Sequence, residues 1–138
     1  MTALTQQLAR PAVRRRLFVG LAFLLQGLWA AYVARHHGGG AMLRSGLLHG
    51  GLCAAMTTVS TLLMDFFFNQ ARSPLIGLLY AVLGTTAVML SGALAVHLIN
   101  RTPDIPRTIA PLVILGVPFY ILYSTLIYKT KKTTGERP

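Results

Sequence analysis

Acidic side chains are almost missing from this chain: three of its 138 residues are Asp or Glu, against 13 Lys or Arg, for a formal net charge of +10. Asp104 and Glu136 lie in polar segments, so Asp65 is the sole acid inside an apolar stretch. That scarcity leaves no paired carboxylates for acid–base work. Cysteine occurs once, at Cys53, which rules out an intrachain disulfide and reads as a small buried side chain. No glycine-rich phosphate loop is present, and Ser45 with His49, one helical turn apart, lacks a third member and oxyanion donors. The chain therefore reads as a non-enzyme without a cofactor. Charged residues make up only 12 % of it, roughly half the share of a soluble domain. The basic residues gather at the ends and in short segments instead of forming a stripe interleaved with aromatics, so nucleic acid is not expected as a partner.

What remains is apolar: 54 % of the residues, with a mean hydropathy of +0.58. Four runs stand out, at approximately 17–34, 46–68, 74–99 and 108–128. A helix needs about 20 apolar residues to cross a hydrocarbon core, and lipid cannot satisfy free backbone polar groups. The expected fold is an all-α integral membrane protein with four transmembrane helices. It forms one membrane domain over residues 1–138 with basic tails at 1–16 and 129–138. The first run follows Arg14, Arg15 and Arg16 as a signal peptide would. It is long for one, however, and Arg35-His36-His37 separates it from the small residues at Gly39-Gly40-Ala41, so it reads as a retained span.

Orientation follows from the basic residues. Arg10, Arg14, Arg15, Arg16, Arg72, Lys129, Lys131, Lys132 and Arg137 fall on one side of a four-span chain. Arg35, Arg44, Arg101 and Arg107 fall on the other. Both termini are thus expected in the cytoplasm, with the protein in the plasma (inner) membrane. Gly20 and Gly27 recur as Gly84 and Ser91 at the same offset, which suggests two tandem helical hairpins.

Within the second run, Gly50, Ala54, Thr58, Thr61 and Asp65 recur at helical spacing and line one small, polar face. With Gln26 and Asn69 they are candidates for a polar path or a head-group contact. They equally suit interhelical hydrogen bonding. An intramembrane acid is a functional candidate by default; Asp65 is shallow enough to anchor at the interface or to pair with Arg72 instead. Gly20, Gly27, Gly77, Gly84 and Ser91 are candidates for close helix packing. Pro118 is expected to kink the fourth span. His49 and His97 open and close neighbouring spans at similar depth, as a haem or metal between helices requires, although histidine at an interface more often caps it.

The layout resembles the GtrA-like membrane proteins. Arg16-Leu17-Phe18-Val19-Gly20 stands where that family opens its first span. Asp65-Phe66-Phe67-Phe68-Asn69-Gln70 matches the pattern that closes its second, with Asp for Asn and Gln for Arg. The Trp-x-Phe that follows in the family is replaced by Ala71-Arg72-Ser73, and the fourth span lacks the repeat. The resemblance implies translocation of polyprenyl-phosphate-linked sugars, or help to a membrane glycosyltransferase. It carries over Gly20, Asp65, Phe66 and Asn69. Transport or lipid carriage is thus the first expectation and a non-catalytic accessory or assembly subunit of a larger membrane complex the second. The expected partners are the bilayer, anionic head groups, and either further copies of the chain or a larger membrane protein.

Overall fold

The computed structural model describes residues 10–99 and 105–134; within them the side chains of 96, 97, 107, 108, 111, 112, 133 and 134 are not described. The expectations placed on residues 1–9, Arg101, Asp104, Glu136, Arg137 and the His97 imidazole lie outside the described residues. Four helices follow in order: α1 (Pro11–Val33), α2 (Gly39–Asn69), α3 (Pro74–Ile99) and α4 (Ile105–Thr134), with a 3₁₀ turn at Ala34–His37 after α1. All four are long and apolar enough to cross a membrane. Their large apolar side chains point outward on every helix, with Leu28 67 %, Leu83 65 % and Ile114 67 % exposed. A water-soluble chain would not leave so much apolar surface uncovered; lipid covers it here. The protein is an all-α, four-span membrane protein.

The helix ends follow local chemistry more than hydropathy. α1 starts at Pro11, whose fixed φ suits the first helical position, and the Arg10 carbonyl accepts from the amides of Val13 and Arg14 at 3.1 Å. The three arginines expected in a cytoplasmic tail are therefore helical, and Arg14 is only 2 % exposed. α2 begins at Gly39, earlier than its apolar run, so Arg44 and Ser45 belong to a helix and not to a loop. The turn before it needs Gly38, with φ +90°, a region that side-chain-bearing residues avoid. Ser73 caps α3: its Oγ accepts from the Ile76 amide at 3.4 Å and its carbonyl from Gly77 at 2.9 Å, with Pro74 at the first position. α4 runs as one helix through Pro118. At 31 residues α2 is about 46 Å long, half as long again as a hydrocarbon core of about 30 Å, so its ends reach into the head-group zones.

The chain divides into two compact units, with the boundary between Thr61 and Leu62 inside α2. In the first unit α1 and α2 touch through glycine. A Cβ on Gly27 would lie 3.0 Å from the Gly46 carbonyl oxygen, and one on Gly50 would lie 2.8 Å from that of Phe23. In the second unit α3 packs on α4 and on the end of α2. Its core is Met64, Phe68, Ala81, Thr85, Tyr120, Tyr123, Ser124 and Ile127. The last four residues lie on one helical stripe of α4.

Candidate functional site

The acidic residue singled out from sequence sits at the heart of the second unit's polar group. Asp65, half-buried near the end of α2, accepts from the hydroxyl of the fully buried Tyr123 of α4, 3.4 Å from each carboxylate oxygen. Such a shared, long contact is weak. One turn further along α2, Asn69 Oδ1 accepts from Lys131 Nζ at 2.7 Å, a short charge-assisted bond. The same ammonium lies 5.3 Å from the centre of the Phe68 ring, within cation–π range. Asp65 pairs with Tyr123 and Asn69 with Lys131, both numbers rising together, so α2 and α4 run parallel here. Arg72, Lys129, Lys131 and Lys132 consequently gather at one end of this unit. Arg72, proposed from sequence as a partner for Asp65, is exposed at the turn beyond α2.

The other polar candidates are engaged differently. Thr58 Oγ1 donates to the Ala54 carbonyl at 2.8 Å and Thr61 Oγ1 to that of Thr58 at 2.9 Å. Both hydroxyl protons are thus spent on their own helix. Thr86 does the same toward Val82 at 2.7 Å. Gln26 is half-buried in α1, in the first unit. Two fully buried hydroxyls in the second unit, Thr85 and Ser124, have no hydrogen-bond partner among the described residues. Between α3 and α4, Thr86, Met89, Val117 and Tyr120 help line a space of about 10 Å³, room for a single water.

The packing candidates separate cleanly. Gly27 meets Gly46, Gly77 meets the Phe68 carbonyl oxygen at 2.9 Å, and Gly84 meets the Phe67 ring at 2.8 Å. Among the described residues, a Cβ on Gly20 would touch nothing within 4 Å, and Ser91 is exposed. Further along α3, Val88, Ser91 and Ala95 face outward. His49 lies on α2 with its Nε2 3.8 Å from Cys53 Sγ.

Sequence reasoning missed Tyr123 and Lys131. The signal for Tyr123 was available in the spacing of Tyr120, Tyr123, Ser124 and Ile127. It also missed an open groove of about 630 Å³ on the α1–α2 hairpin, lined by Trp29, Val33, His37, Ser45, Leu48, His49 and Leu52 among others. Compared with known proteins, the chain matches no protein-family model, no curated protein and no solved structure.

Proposed function

We propose that the chain is a small carrier of the inner membrane, with both termini in the cytoplasm, that handles a lipid-linked head group. The carrying observation is Asp65: a carboxylate in a spanning helix, half-buried and hydrogen-bonded by a fully buried tyrosine from another helix. An ionisable side chain inside a spanning helix is a functional candidate by default. In this reading Arg72 and the α4 lysines attract a phosphate, while Asp65 and Asn69 accept from the hydroxyls of the attached group. The apolar tail stays in the bilayer, so no enclosed channel is needed. A polyprenyl-phosphate-linked sugar has this chemistry, and the partial GtrA-like motif at Asp65, Phe66 and Asn69 leads to the same class.

A second reading, a non-catalytic accessory subunit docked on a larger membrane protein, is favoured by a separate observation. The Thr58 and Thr61 hydroxyl protons are turned back to their own helix. Reconstituted vesicles separate the two. Translocation of a fluorescent polyprenyl-phosphate sugar should fall at least tenfold in Asp65→Asn and be reduced in Thr61→Val. If translocation is absent from the wild type and Gly84→Leu abolishes co-purification of a membrane partner, the accessory reading stands instead.

A further inference from the structure

The groove on the α1–α2 hairpin belongs to neither reading. Its walls are rigid, because the helices touch backbone to backbone at Gly27, Gly46 and Gly50. Its floor and sides are apolar and uncovered, with Trp29 62 %, Leu48 65 % and Leu52 60 % exposed. Three polar side chains interrupt them, His37, Ser45 and His49, and all can donate a hydrogen bond. No acid lies anywhere before Asp65, so nothing in this unit repels an anion. Arg35 lies two residues before His37 in the turn after α1; its guanidinium stacks 3.9 Å from the Tyr32 ring centre and donates to the Tyr32 carbonyl at 2.9 Å. Trp29 in turn pairs with Tyr32, ring centres 6.1 Å apart. From Ser45 to Leu52 the groove follows α2 for about 10 Å, enough for a head group and the upper part of an acyl chain.

We infer that this groove binds one anionic phospholipid, its phosphate held by His37, Ser45 and His49 and its chain laid along Leu48, Leu52 and Trp29. A zwitterionic lipid offers the same phosphate but brings a cation that finds no acid in this unit to pair with. The site stands apart from Asp65, so it holds or fails regardless of what that residue does.

The chain carries its own probe, because Trp29 is its one tryptophan. Full-length protein is reconstituted in phosphatidylcholine vesicles containing a fixed fraction of dibrominated lipid, either phosphatidylglycerol or phosphatidylcholine. Brominated phosphatidylglycerol should quench Trp29 with an apparent association constant about fivefold higher than brominated phosphatidylcholine. In His37→Ala/His49→Ala that preference should fall below about twofold, and millimolar inorganic phosphate should leave the wild-type preference unchanged. Equal quenching of the wild type by the two lipids overturns the inference. So does a preference that survives the double variant, or one that inorganic phosphate erases, which would assign the site to a free anion. If the double variant does not insert, His37→Gln and His49→Gln serve singly, and retention of the full preference by both overturns it equally.

Discussion

Gly50 and Gly51 are neighbours on α2, yet adding one methyl group to each should have opposite consequences. A Cβ on Gly50 would sit 2.8 Å from the Phe23 carbonyl oxygen and 3.2 Å from Gly27 Cα. Both are backbone atoms of α1, which cannot rotate away. The helices must part by about half an ångström, a strain in the range of overpacked cores, about 1–3 kcal/mol. A Cβ on Gly51 would meet nothing within 4 Å. Both substitutions gain the same helix propensity, about 1 kcal/mol for Gly to Ala, so that term cancels in the comparison. Gly51→Ala should be neutral or slightly stabilising, and Gly50→Ala should be less stable than it by about 1–3 kcal/mol, roughly 5- to 150-fold in the unfolding constant. Unfolding in mixed micelles, followed through Trp29 on α1, measures the difference. If Gly50→Ala is as stable as Gly51→Ala, the backbone contact between α1 and α2 is wrong, and with it the rigid walls of the groove.

Three further outcomes are expected. Tyr123→Phe should cost only about 0.5–1 kcal/mol, because the hydroxyl reaches the Asp65 carboxylate at 3.4 Å and hydrogen bonds within membranes average about 0.6 kcal/mol; a loss above 3 kcal/mol in the same unfolding assay would refute that weak assignment. Thr85→Val should be neutral or stabilising by up to about 1 kcal/mol, since it replaces a buried, unpartnered hydroxyl with an isostere; a clear destabilisation would mean that the hydroxyl has a partner. Reporter fusions at the two termini should both report the cytoplasm, and opposite locations would contradict four spans with a basic inner face.

The four spans and their all-helical nature were legible in the chain, because hydrocarbon-length apolar runs in lipid leave the backbone no other way to satisfy itself. The Ser73-Pro74 start of α3 could be read from residue chemistry as well. Hydropathy marks where lipid begins and not where a helix does: Pro11 opens α1 well before the apolar run at Leu17, and Arg14 is buried. Asp65 was recognisable from its isolation among apolar residues. Its partner Tyr123, the bond from Lys131 to Asn69 and the groove beside Trp29 were not, because they join residues far apart in the chain. Glycine shows the limit most directly. Gly20 and Gly27 look alike in sequence, but only Gly27 meets another backbone, and that depends on where the second helix crosses. Composition determined which solvent this protein dissolves in, and the crossing points of its helices decided which small and polar residues meet.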